Sequence, residues 1–249
     1  MRKEAEMARY VMVTDLTKCV GCQACTVACD TEWDVPLGFA RTHVRFTGVS
    51  GTFPNLISSF HVAQCNHCDH PACTAPCPTG ATYQAENGIV KVDKDLCIGC
   101  GYCVDACPYE SRYINPVTKK VDKCDFCASR LEKGLEPACV ATCTAHAKFF
   151  GDLEDRNSEV FKLVYEKGAR RLETADVAIG PNVYYLGKRE HIDLVLASFP
   201  PHPPRMVRAG EWWSKVVKPL VLAAIGATFL GQAAAFFSQL RTGEKEFEE

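Results

Sequence analysis

Sixteen cysteines fall into four groups of four, and this arrangement constrains the chain more than any other feature of its sequence. The first group reads Cys19-x2-Cys22-x2-Cys25-x3-Cys29, and the third Cys97-x2-Cys100-x2-Cys103-x3-Cys107 with Pro108 after it. The second is Cys65-x2-Cys68-x4-Cys73-x3-Cys77 with Pro78 after it, and the fourth is split into Cys124-x2-Cys127 and Cys139-x3-Cys143. Zinc usually takes two separated C-x2-C pairs, and a third cysteine after two residues with a fourth after three more is a different cadence. A disulfide scaffold belongs to short secreted chains that lack a core, whereas this chain has 249 residues and is 47% hydrophobic. What the spacing matches is the ligand pattern of [4Fe–4S] cubes.

A tight C-x2-C-x2-C loop wraps three thiolates around one cube and turns backbone N–H groups toward its sulfurs. The fourth cysteine lies one helical turn further on and faces a neighbouring cube, as in two-cluster ferredoxins, where a proline often follows it. The second and third groups keep that proline; Asp30 and Thr144 stand in its place in the other two. Exchange of fourth ligands between neighbours predicts four sets. Two are Cys65, Cys68, Cys73 with Cys107, and Cys97, Cys100, Cys103 with Cys77. The other two are Cys19, Cys22, Cys25 with Cys143, and Cys124, Cys127, Cys139 with Cys29. All sixteen cysteines are then cofactor ligands, the cofactors are four [4Fe–4S] clusters, and their use is electron transfer.

The formal charge of −2 counts every thiol as neutral. Metal-bound thiolates on a [4Fe–4S]²⁺ core leave about −2 per site, or about −8 over four sites. Arg112, Lys119, Lys120, Lys123, Arg130 and Lys148 lie near the third and fourth groups and are candidates to offset it, though a solvated basic face is an equal reading for each. Nothing resembles a nucleic-acid-binding stripe. No catalytic acid–base pair or nucleophile stands out; His61, His67 and His70 read as hydrogen-bonding or surface residues, because the cysteines already complete the ligand count.

Strand-like runs flank the cysteine groups at Tyr10–Val13, Ala81–Tyr83, Ile89–Val92 and Ala147–Phe150. Strand, cluster loop, short helix, strand is the unit of a ferredoxin-like α+β fold, here expected twice and interleaved. The outer unit takes residues 8–60 and 108–195, and the inner unit 61–107. Asn157 to Gly168 predicts a packing helix capped by Asn157 or Ser158, with Val160, Phe161 and Val164 on its apolar face. Residues 196–218 read as a proline-rich linker with an exposed His202, stiffened by Pro200-Pro201 and Pro203-Pro204, and leading into an interfacial segment.

Pro219 to Leu240 holds no charged residue. Those roughly 22 positions span about 33 Å as a helix, enough for a hydrocarbon core of about 30 Å. Trp212, Trp213, Lys215 and Lys218 precede it as interfacial anchors, and residues 241–249 form a charged tail. Ala223, Ala227, Gly231 and Ala235 recur every fourth residue, a ridge for packing on another membrane helix. The segment has no His to offer a haem. A membrane-fixed relay is therefore expected, with a soluble polyferredoxin carrier as the alternative. Met1 to Arg9 has no apolar stretch, so no export signal of the chain's own is expected. Lys and Arg counted on the flanks of the helix favour a cytoplasmic cluster domain.

The four groups in this order resemble the four-cluster electron-transfer subunits of membrane-bound molybdopterin oxidoreductases, over roughly residues 8–190. That family includes the iron–sulfur subunits of formate dehydrogenase, polysulfide reductase and dimethyl sulfoxide reductase. Cys97-Ile98-Gly99-Cys100-Gly101-Tyr102-Cys103 and Glu136-Pro137-Ala138-Cys139-Val140 look like its signatures. Phe149-Phe150-Gly151-Asp152 and Asn157-Ser158-Glu159-Val160 are similar to the polysulfide and nitrite reductase-associated branch. Trp213, Lys215, Lys218-Pro219-Leu220 and Ala227-Thr228-Phe229 resemble the anchor helix of the formate dehydrogenase β subunit. Cys143-Thr144-Ala145-His146 departs from the usual Cys-Pro-Thr-Gly. The resemblance implies a non-catalytic subunit that links a molybdopterin-type catalytic subunit to a quinone- or haem-bearing membrane subunit. It also implies a cluster domain on the periplasmic face of a prokaryotic inner membrane, exported on a partner that carries the signal.

Overall fold

The computed structural model describes residues 8–202 and 218–242. The chain divides into two units, a cysteine-bearing body up to Pro204 and a second unit from Arg205 onward.

The body is organised around β1 (Tyr10–Asp15), whose Val11, Met12 and Val13 are fully buried. A strand buried on both faces needs an unbroken apolar run, and the strand period of two then sends alternate residues to opposite sides. Val11 and Val13 point into a purely apolar core with Leu153, Val160, Leu163 and Tyr184. Met12 points the other way, into a core shared with Cys25, Cys65, Cys124 and Cys139. One strand thus separates an ordinary core from a cysteine-bearing one.

The remaining elements follow in order. α1 (Ala24–Trp33) leads to a long hairpin, β2 (Thr42–Thr52) and β3 (Asn55–Gln64). A short hairpin follows, β4 (Thr82–Gln84) and β5 (Val90–Val92), then α2 (Tyr102–Asp105). After it come β6 (Tyr113–Ile114), β7 (Val121–Asp122), α3 (Ala128–Leu131), α4 (Ala138–Ala141) and β8 (Lys148–Asp152). The body closes with α5 (Glu159–Phe161), β9 (Arg170–Arg171), β10 (Val183–Leu186) and α6 (Arg189–Ser198). The main sheet has the order β8-β1-β10-β9, with β1 parallel to β10 and antiparallel to β8. The other strands form three separate two-stranded hairpins, so the content is mixed helix and strand.

All four expected strand runs are strands, within a residue or two of the expected bounds. The expected helix over 157–168 begins as foreseen: the Ser158 hydroxyl accepts a hydrogen bond from the Phe161 N–H at 3.1 Å. It does not continue as an α-helix. One turn of α5 passes into a π turn over Lys162–Glu166, closed by the Lys167 N–H on the Lys162 carbonyl at 3.0 Å. The wider turn puts Val160 and Leu163 in the core and leaves Phe161 half-buried at its edge. The proline-rich segment also differs from a free spacer at its start. Pro201 is buried, the His202 N–H donates to the Pro108 carbonyl at 3.1 Å, and Phe199 lies 5.4 Å from the His61 ring. Residues 203–217, with Trp212, Trp213 and Lys215, lie outside the described residues, as does the tail from 243.

In the second unit, α7 (Lys218–Thr242) is an exposed helix of 25 residues. Within its segment Lys218–Arg241 an 18-residue window reaches a mean hydropathy of 1.9, and the helix is long and apolar enough to cross a membrane. The Thr228 hydroxyl donates back to the Ile225 carbonyl at 2.7 Å, which satisfies it without an external partner.

A buried ion pair ties the hairpins of the body together. Arg41 donates from Nε and Nη2 to the two carboxylate oxygens of Asp122, at 3.1 and 2.8 Å, while Lys94 and the Tyr113 hydroxyl also reach Asp122. Burial raises the Asp122 pKa, but the Arg41 charge and these donors outweigh it and keep the carboxyl ionised. Removing one partner of such a pair leaves an uncompensated charge. Asp122→Asn is expected to destabilise the body by about 3 kcal/mol, seen as a lower denaturant midpoint at neutral pH, whereas exposed Asp193→Asn should leave it unchanged.

Candidate iron–sulfur centres

The four C-x2-C loops share one backbone device. The residue just before the second cysteine has positive φ in each: Gly21 at 68°, His67 at 44°, Gly99 at 72° and Phe126 at 55°. A left-handed residue there reverses the chain, and in the fourth loop its own N–H, that of Phe126, points at Cys124 Sγ 3.4 Å away. In the first and third loops a second left-handed residue follows, Gln23 at 63° and Gly101 at 81°, before α1 and α2 begin. Glycine adopts this conformation freely; a bulky residue does so at a cost of order 1–3 kcal/mol, retained only when its surroundings enforce it. His67 and Phe126 are both fully buried and stack on each other with ring centroids 3.8 Å apart.

Short helices then carry the later cysteines. Cys25 and Cys29 are both buried in α1, one turn apart. Cys103 lies in α2 and Cys139 in α4, each with its next cysteine four residues on, at Cys107 and Cys143. One recess is lined by Cys19, Cys22, Cys25 and Cys143, with Val44, Val62 and Lys148 in its wall. A second is lined by Cys29, Cys124, Cys127 and Cys139, with Trp33, Arg41 and Gln64. Cys65, Cys73 and Cys107 are the thiols that act on Cys68. Cys97 and Cys103 share a buried cluster with Cys73, and Cys77 packs against it. Cys22 and Cys100 are exposed, while Cys29, Cys124, Cys127 and Cys139, and likewise Cys65, Cys68, Cys73 and Cys107, are all buried.

Electrostatics make these thiols poor as free groups. Burial first, and neighbouring thiols second, push Cys29, Cys68 and Cys124 well above the ordinary thiol range. Burial likewise takes Cys73 to about 12, although Arg112 opposes it. At exposed Cys22 the balance goes the other way, through hydrogen bonds from the Ala24 N–H and from Thr144. Many donors meanwhile aim at sulfur. Arg112 Nη2 lies 2.9 Å from Cys73 Sγ, Trp33 Nε1 3.3 Å from Cys127, and the backbone N–H of Ala147 3.3 Å from Cys143. The Phe126 N–H donates to Cys124 at 3.4 Å and the Val121 N–H to Cys97 at 3.5 Å.

Converging thiols, sulfur-directed N–H groups and buried cations are the donor set of a polyanionic iron–sulfur cube. The histidines add to the fit. His67 Nδ1 accepts the Val90 N–H at 3.0 Å, so Nε2 carries the proton, and it is buried without a protein partner. Arg112 Nε is a second buried donor without one. Buried donors of this kind need an acceptor, and a cluster sulfide would supply one. His61 packs against Tyr185 and Phe199, and His70 is exposed.

A family model for a 4Fe-4S dicluster domain matches residues 57–153. The B subunit of tetrathionate reductase from Salmonella typhimurium is 43% identical over 181 residues, 72% of this chain and 72% of that one. This protein belongs to the iron–sulfur electron-transfer subunits of the molybdopterin oxidoreductase family. Among other relatives in this family, the thiosulfate reductase electron transfer subunit PhsB of Salmonella typhi is 47% identical over 170 residues, 67% of this chain and 87% of that one. The B component of polysulfide reductase from Wolinella succinogenes is 43% identical over 165 residues, covering 66% of this chain and 86% of the relative. Membership makes this protein an electron-transfer, non-catalytic subunit of a reductase complex with a [4Fe–4S] domain.

Of the basic residues singled out from sequence, Arg112, Lys123 and Lys148 are buried beside cysteines. Arg130 instead pairs with Glu32 at 2.9 Å, and Lys120 reaches the Cys97 carbonyl at 2.5 Å. Trp33, Arg41, Gln64 and Phe126 were not foreseen; Phe126 alone had a signal, because it occupies the place that glycine takes in the first and third C-x2-C loops. Gly99 is the sharpest test of the loop geometry, since an added Cβ would sit 2.1 Å from the Lys119 carbonyl oxygen. Gly99→Ala is expected to cost more than about 2 kcal/mol and to lower bound iron by one cluster's share, measured by iron and acid-labile sulfide per chain.

Proposed function

We propose that this chain relays electrons through four [4Fe–4S] clusters bound by all sixteen cysteines, with the fourth ligands exchanged within two interleaved ferredoxin-like units. The sets are Cys19, Cys22, Cys25 and Cys143; Cys29, Cys124, Cys127 and Cys139; Cys65, Cys68, Cys73 and Cys107; and Cys77, Cys97, Cys100 and Cys103. The observation that carries this reading is the pair of recesses. One is lined by the first set and the other by the second, and each unites cysteines far apart in the sequence, Cys25 with Cys143 and Cys29 with Cys139. Each set supplies four thiolates, and the bound cubes supply one-electron redox chemistry. The protein's own part is to fix the thiolates, exclude water, and set the local charge.

The sets adjoin one another in a line. Cys25 has Cys139 as a charged neighbour, and Cys124 has Cys65. Cys73 packs in one cluster with Cys97 and Cys103. The ends of that line are the sets with exposed Cys22 and exposed Cys100, the natural points of entry and exit. At one end stands a molybdopterin-type catalytic subunit and at the other a quinone- or haem-bearing membrane subunit. Relatives named for tetrathionate, thiosulfate and polysulfide reduction favour a sulfur-compound substrate for the complex. The helix α7 anchors the relay in the membrane, with the cluster domain on the periplasmic face as in formate dehydrogenase relatives. A protein held there travels folded, on a partner.

Two experiments test this. Cys143→Ser should disturb the cluster of Cys19, Cys22 and Cys25, read by electron paramagnetic resonance of the reduced complex; a change confined to the Cys124 and Cys127 site would refute the exchange of ligands. Truncation before Lys218 should move the protein from the membrane fraction to the soluble one. Retention of the truncated form in salt-washed membranes would place the anchoring elsewhere.

A further inference from the structure

Four anionic clusters in a line leave three gaps between neighbours, and a buried cation stands beside the cysteines that face each gap. This observation rests on the ligand sets proposed above. Lys148 is 4% exposed, lines the recess of Cys19, Cys22, Cys25 and Cys143, and hydrogen-bonds Gln64 at 2.8 Å. Gln64 itself lines the recess of Cys29, Cys124, Cys127 and Cys139. Arg112 is 5% exposed and donates to Cys73 at 2.9 Å, with Cys65 and Cys107 of one set and Cys103 of the next among its charged neighbours. Lys123 is 3% exposed, donates to the carbonyls of Cys124 and Val90, and acts on the charge of Cys73. It therefore lies where the two middle sets meet.

None of the three forms an ion pair with a carboxylate among the described residues. Arg41 is the contrast: it also lies near Cys29 and Cys124, but it is held by Asp122 and Asp125. A buried ammonium or guanidinium without a counter-ion is costly, so the negative charge that balances these three is that of the thiolates and their clusters. We propose that Lys148, Lys123 and Arg112 are the shared counter-charges of the relay, each raising the reduction potentials of the two clusters on either side of it. Each electron adds one negative charge to a cluster. A fixed cation in the gap stabilises the reduced form of both neighbours and screens their mutual repulsion, so adjacent clusters can be reduced together.

The test is a redox titration, followed by electron paramagnetic resonance, of the intact complex carrying Lys148→Met, Lys123→Met or Arg112→Met. Lys148→Met should lower two of the four midpoints and Arg112→Met the other two. Lys123→Met should lower one from each pair. Each affected midpoint should fall by at least a tenfold change in its one-electron equilibrium, which is about 59 mV. Lys148→Arg should restore the wild-type midpoints. Where Lys148→Met fails to assemble, Gln64→Glu places a carboxylate on the ammonium and should lower the same two midpoints. Unchanged midpoints, an equal fall in all four, or one pair responding to both Lys148 and Arg112 variants would overturn the proposal. An iron content well below sixteen in the wild-type protein would instead overturn the four-cluster reading beneath it.

Discussion

Charge balance around buried sulfur governs this molecule. Thiols packed this closely and away from water resist ionisation, as burial and mutual repulsion at Cys29, Cys68 and Cys124 indicate. Lys148, Lys123 and Arg112 are buried beside them without carboxylate partners among the described residues. Neither set of groups is comfortable alone. Iron resolves both problems, since it deprotonates the thiols and gives the cations an anion to face. Folding and cluster binding are on this account a single event.

The backbone serves the same end. Left-handed residues stand at one place in all four C-x2-C loops; in the fourth loop the Phe126 N–H meets Cys124, and the N–H groups of Val121 and Ala147, from outside the loops, meet Cys97 and Cys143. Two of those loop positions are glycines that tolerate the conformation, and two are His67 and Phe126, held there by burial and by stacking on each other. Met12 and Gln64 then connect the cysteine core to the sheet: Gln64 donates to Met12 at 3.0 Å and accepts from Lys148 at 2.8 Å. The apolar core on the other face of β1 contains no cysteine and packs the sheet against α5.

The places of the cysteine loops and the iron–sulfur class of the protein were legible in the sequence, because the C-x2-C spacing marks each loop. The strands next to the cysteine groups were legible too, as short apolar and β-branched runs such as Tyr10–Val13. The β2–β3 hairpin was missed, because its residues alternate weakly and its outer half is exposed, with Val49, Phe53 and Leu56 open to solvent. The π turn over Lys162–Glu166 has the same apolar spacing as an α-helix, so periodicity cannot distinguish them. The burial of Lys148 and Arg112 depends on contacts across 84 and 39 residues, to Gln64 and Cys73, which local pattern does not carry.

Relay order and the sharing of cations both follow from which four thiolates share each cube. An anomalous difference map at the iron edge, from crystals of the intact complex, reads this directly. Four cubes in line are expected, one of them touching Cys19, Cys22, Cys25 and Cys143, with Lys148 between that cube and its neighbour. A cube bound by Cys19, Cys22, Cys25 and Cys29 together would contradict it.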